Sequence, residues 1–259
     1  MKPDFFSIAM FPTVPLDNKE TLGNLLNMFE SDTSYIPMYW GNQEKIKLEY
    51  CYKEIIERAT SEDRKSELYL YRDKTVQYSG RFDINGGPRS YLKFEFNKSI
   101  SKKLYPTFLE LSDNIAEIAQ PRYGVTNIFW PTQYPWENER ERLQVWMDIC
   151  SYPIPVRFLP NGPLGLGART YFSGHILEMF GREFLLNCPG EGGELNWGGI
   201  RIDVLKNPLE ASSDELLDGW IKAMRYMESS EVLAIPSFDD DRMGVSYSPN
   251  IKWKEYLNR

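Results

Sequence analysis

A single histidine, His175, limits the chemistry open to this chain. A Ser-His-Asp site would have to be built around it, and a metal site needing two histidines is excluded by composition. His175 lies in "YFSGHILEMFG", at the start of an apolar helical run, where a ring satisfied by its neighbours is the plain reading. The stretch "GPLGLG" (162–167) has the glycines of a phosphate loop without its pattern. It is not G-x-G-x-x-G opening a βαβ unit, and no Lys-Ser/Thr pair follows, so Gly162, Gly165 and Gly167 read as a turn. Arg169, just beyond, can grip a carboxylate, either in an ordinary salt bridge or at a ligand. In "SFDDDR", Asp239, Asp240 and Asp241 stand together. Three carboxylates can hold a divalent cation, but metal loops space their ligands and adjacent side chains point apart. A solvated turn, or an acidic contact for a basic partner, fits that run better. No specific pattern marks the paired carboxylates of a glycosidase. Sequence therefore predicts no catalytic, cofactor-binding or metal site.

A second stretch, "ELNWGGIRIDVL" (194–205), sets Trp197 directly before Gly198 and Gly199. Ile200, Ile202 and Val204 then alternate with Arg201 and Asp203, the period of a half-buried strand. Glycine admits unusual backbone angles and close approach, so Trp-Gly-Gly reads as a bend or bulge entering that strand. Trp197 then either caps the core or stands exposed as a binding anchor. The candidate partner contacts are Glu191, Glu194 and Trp197 as one group and Asp239, Asp240 and Asp241 as another.

The formal net charge of -7 and the sequence pI near 5.0 argue against direct nucleic-acid binding, which needs a basic face. They suit a basic protein partner, or simply solubility. Aromatic residues make up 14% of the chain, enough for thick cores or an aromatic binding surface. Cys51, Cys150 and Cys188 are odd in number and far apart, which predicts free, mostly buried thiols in a reducing, cytoplasmic setting. Residues 5–11 read as a strand and not as a signal segment, because Asp4 and two prolines flank them. No apolar run approaches the ~20 residues of a membrane span.

The elements that must position these residues show in caps and periodicity. Asp17 with Glu20 opens a helix with Leu22, Leu25, Leu26 and Phe29 on one face. A second helix is expected over 44–59, and a third after a Thr107–Glu110 capping box. A fourth is expected after Pro135, and the clearest follows a Ser212–Glu215 box. Strands are expected at 67–73, 75–84, 90–96, 125–130, 155–159, 200–205 and 231–238, and a loop at 160–170. Strands and helices mix without regular alternation, so the class is α+β, a largely antiparallel or mixed sheet with helices on its faces. Residues 1–259 read as one domain, or as two intimately packed halves meeting near 120–121.

The second half resembles a known family. "GLGARTYFSGHILEMFGREFLLNCP", then "ELNWGGIRIDVL", then the capped helix beginning "ASSDELLDGWIKAM" is similar to immunity proteins of bacterial polymorphic toxin systems, in particular immunity protein family fifty-two. The segment ahead of the W-G-G strand carries Arg169, Thr170, Gly174 and Gly181. The resemblance covers roughly residues 120 to 230. It implies an α+β fold and a cognate toxin, a nuclease domain with a basic groove, in a setting such as type VI secretion. An immunity protein needs no catalytic residues, only a rigid surface complementary to its toxin. Two other readings stay open at this point: an enzyme with an unrecognised carboxylate or arginine site, and an adaptor without inhibitory activity.

Overall fold

In the computed structural model, which describes residues 2–61, 66–84, 87–97, 100–133 and 135–258, the apolar N-terminal run is a central strand. This strand, β1 (Phe5–Phe11), lies antiparallel between β6 (Tyr91–Asn97) and β7 (Tyr123–Phe129). Around it are β2 (Tyr39–Gly41), β3 (Leu48–Glu49), β4 (Glu67–Arg72), β5 (Tyr78–Asp83), β8 (Arg169–Phe172), β9 (Glu191–Glu194) and β10 (Ile200–Asp203). They form one ten-stranded sheet in the order β3-β2-β4-β5-β6-β1-β7-β8-β10-β9, antiparallel at every pairing. The β1–β7 pairing joins strands from either side of residue 120. The architecture is α+β.

Alternation along β1 feeds two cores. Phe6 packs on Tyr105 and Phe108 of α3 (Tyr105–Ala119), on the face that also carries α1 (Lys19–Ser31) and α2 (Tyr52–Ala59). Phe11 packs on Phe158 of α5 (Pro155–Asn161), on the opposite face. There Trp146 of α4 (Glu139–Cys150) meets Trp220 of α8 (Ser213–Glu228) edge to face, at 5.0 Å between centroids. The remaining elements are α6 (Gly174–Phe180), α7 (Arg182–Leu186), a hairpin of β11 (Ile235–Asp239) and β12 (Gly244–Ser248), and α9 (Ile251–Leu257).

Several boundaries differ from those expected, each for a local reason. The cap of α1 is Asn18, not Asp17; its side chain accepts from the Glu20 and Thr21 amides. The helix expected over 44–59 begins only at Tyr52, because Leu48 and Glu49 pair with β2 and lie exposed. Thr107 does not cap α3: the helix starts at Tyr105, and the Thr107 hydroxyl donates to the Leu104 carbonyl. Residues 155–161 are helical, with Pro155 suited to the first turn. Only Phe158 is buried there and Val156 is 75% exposed, so no strand face exists. In the 231–238 run, pairing begins only at Ile235. The stretch expected to be a loop at 160–170 ends inside β8. The Ser212–Glu215 box is present as expected.

Candidate functional site

Trp-Gly-Gly forms the turn of the β9–β10 hairpin, the bend that leads into β10. Residues 195–199 close the turn, with the Leu195 amide donating to the Gly199 carbonyl at 2.9 Å and the Gly198 amide to the Leu195 carbonyl at 2.8 Å. Gly198 has φ +91, a conformation that side chains strain to adopt. Gly199 serves a different end: a Cβ there would collide with the indole of Trp197, so the ring lies across a glycine-sized gap. Trp197 is half-buried, packed against the edge of the core with part of its ring facing solvent. Core and surface are therefore both true of it.

The indole forms one wall of an open cleft of about 640 Å³. Glu20, Thr21 and Asn24 of α1, Glu117 and Ile118 of α3, and Gln120 and Asn196 complete the lining. Its only ionisable lining groups are the carboxylates of Glu20 and Glu117. Among the described residues neither carboxylate has an ion pair or hydrogen bond. Glu20 stands in the first turn of α1, where the helix dipole favours a negative charge. The cleft is thus a rigid aromatic wall facing two uncommitted anions.

The predicted residues separate into different roles. Glu194 braces the hairpin: Arg182 donates to it at 2.9 Å and to the Gly198 carbonyl at 3.1 Å, fixing the loop that carries Trp197. Glu191 is exposed at the start of β9. Asp239, Asp240 and Asp241 are exposed at the tip of the β11–β12 hairpin, where Asp239 accepts from the Arg242 amide at 3.1 Å. That hairpin packs through Phe238 on Trp146 of α4, the opposite side of the sheet from α1 and α3. The fold brings Glu194 and Trp197 together, and leaves the three aspartates apart from them. Sequence reasoning missed Glu20 and Glu117 as site residues. Glu20 carried only a capping signal, and nothing in spacing joins it to residue 197.

Arg169 belongs to a buried network. It grips Asp203 with two parallel bonds, Nε to Oδ1 at 2.7 Å and Nη2 to Oδ2 at 2.8 Å, and reaches Asp113 Oδ2 at 2.9 Å. Arg201 donates to the same Asp113 oxygen at 3.0 Å, and Tyr171 donates to the other at 2.8 Å. Burial, the largest single influence, lowers the Arg169 pKa, but the Asp203 hydrogen bonds together with the charges of Tyr171, Asp203 and Asp113 raise it above the ordinary value. Two arginines and two aspartates compensate one another here, so the cluster ties α3 to β8 and β10. Cys150 and Cys188 are buried, whereas Cys51 is exposed. Among the described residues no group of three or more His, Cys, Asp or Glu is placed to hold a metal ion, and no helix is long and apolar enough to cross a membrane.

No family model matches the chain, and no curated protein matches it. The family resemblance therefore stands on the quoted segments alone. Among solved structures, the chain is similar to the Pseudomonas aeruginosa T6SS protein PA0821, with a TM-score of 0.55 and 13% identity over 98% of this chain and 81% of that one. At that identity the likeness is one of fold.

Proposed function

We propose that this protein is a cytoplasmic immunity protein that binds and neutralises a cognate bacterial toxin, a basic nuclease domain being the class its charge fits best. One observation carries the reading: the half-exposed Trp197 ring, held by a braced hairpin over a cleft whose carboxylates have no partners among the described residues. A lysine or arginine of the toxin placed in that cleft would gain both carboxylates and the face of the indole. The shared fold with a type VI secretion protein fits such a setting, as does the resemblance of the W-G-G segment. A standard interface covers about 800 Å² per partner, so the cleft would be its centre, with Glu191 and neighbouring surface as rim. In this reading the protein performs no catalysis.

Co-expression with the product of a neighbouring toxin gene tests the proposal, through rescued growth and a stable complex. Trp197→Ala should then speed dissociation by about tenfold or more, as loss of a central anchor does. Gln at both Glu20 and Glu117 should slow association and flatten its salt dependence. Failure to rescue growth, or turnover of nucleic acid, ester or glycoside by the pure protein that a point mutation abolishes, would overturn it.

A further inference from the structure

A second recess, unrelated to the Trp197 cleft, has the opposite character. It is an open pocket of about 700 Å³ between the segment after β1 (Pro12, Thr13, Val14, Pro15, Asp17), the 3₁₀ turn at Gly87–Arg89, Arg122, the first turn of α6 and Tyr256 of α9. Arg122 is partly buried, and among the described residues it has no carboxylate within ion-pair distance. One Nη donates to the Pro88 carbonyl, the guanidinium lies over the Phe158 ring at 5.5 Å, and Nε is buried without an acceptor. His175 lines the same pocket, stacked on Tyr256 at 4.4 Å with its Nε2 also buried and unpartnered. A guanidinium partly withdrawn from water without a counter-charge is costly, and the described residues place none within ion-pair distance.

We propose that this pocket binds an oxyanion, a phosphate or carboxylate group, held by Arg122 beside His175. Arg122 offers the positive charge and planar N–H groups that suit such an anion, and the imidazole lines the pocket beside it. Asp17 is the carboxylate among the lining residues, Glu178 acts on His175 from its own helix, and Tyr256 covers the ring. The anion supplies the negative charge that the lining lacks at Arg122. The site is independent of the toxin-binding reading and stands or falls without it.

His175 is the only histidine, so its ring protons are an unambiguous NMR probe of this pocket. The experiment titrates the full chain with pH in chloride, in inorganic phosphate and in acetate at equal ionic strength. An anion bound next to the imidazole favours its charged form. At least one oxyanion should therefore raise the His175 midpoint saturably, by roughly half a pH unit or more. Phosphate alone acting marks a phosphate-type ligand, acetate alone a carboxylate, and both an unselective oxyanion site; all three support the proposal. Arg122→Gln should abolish the shift, and Arg122→Lys, which keeps the charge without the fork, should reduce it. Equal midpoints in all three salts for the wild type, or an undiminished shift in a folded Arg122→Gln variant, would overturn it.

Discussion

Arg169 is buried on the α3 side of the sheet and Arg122 is partly buried over Phe158 on the other, and the two are treated in opposite ways. Arg169 finds two aspartates and a backbone carbonyl, so each of its three nitrogens donates to the protein. Arg122 finds one carbonyl and an aromatic face. The consequence appears in their ionisation: partners hold Arg169 above the ordinary arginine value, while burial pulls Arg122 below it. The same contrast divides the carboxylates. Asp203 is buried and held by Arg169, whereas Glu20 and Glu117 line a cleft and have no hydrogen bond or ion pair among the described residues. Compensated charges belong to the scaffold, and the uncompensated ones are those that the two proposals assign to a partner and to an anion.

The sharpest test of that division is a pair of stability measurements. Asp203→Ala leaves Arg169 buried with only the shared Asp113 as counter-charge. Breaking one side of a buried pair costs about 3–5 kcal/mol, and urea denaturation should read a loss of that order. Arg122→Gln removes a charge with no carboxylate partner among the described residues and loses only the Pro88 carbonyl and the Phe158 face, so its effect should stay within about 1 kcal/mol of wild type. A large loss at Arg122, or a negligible one at Asp203, would break the comparison.

A smaller effect follows from His175. Burial, and then the neighbouring Arg122, lower its pKa from the ordinary 6.5, with Glu178 opposing. Between the lowered folded value and 6.5 the unfolded chain takes up the proton first. Stability from this group is therefore present above 6.5, declines as pH falls toward the folded value, and levels off below it. The slope cannot exceed about 1.4 kcal/mol per pH unit for one proton. Subtracting the denaturation curves of His175→Gln from those of wild type isolates this contribution from the carboxylates. In Arg122→Gln the folded pKa should rise and the slope become shallower; an unchanged slope would show that Arg122 does not act on the ring.

Local pattern predicted much of this molecule, because local pattern sets helices, strands and fold class. The Ser212 box, the alternation of β10 and the buried stripe of α1 all follow from residues within a turn or two of one another. The run at 155–159 was too short for period to decide, and Pro155 at a helix start outweighed its apolar content. The sites lay beyond reach for a different reason. The cleft joins Glu20, Glu117 and Trp197, and the pocket joins Asp17, Arg122, His175 and Tyr256. Each set converges only when β1 and α1 meet the segment after α3. Trp197 was visible because its glycine neighbours are themselves a local signal; Arg122 carries none.

The smallest expected effect concerns Asp239, Asp240 and Asp241, the densest acidic run in the sequence. They sit exposed at a hairpin tip on the side of the sheet away from α1 and α3. If the Trp197 cleft is the centre of the toxin interface, these charges act only at a distance, where salt screens them within about 8–10 Å. Replacing all three by Asn should leave dissociation unchanged and slow association less than Gln at Glu20 and Glu117 does. Association rates at low and physiological salt, measured for both sets against the same toxin, give the answer. A larger loss from the aspartate set would move the interface to the β11–β12 hairpin and make Trp197 a packing residue of its own hairpin.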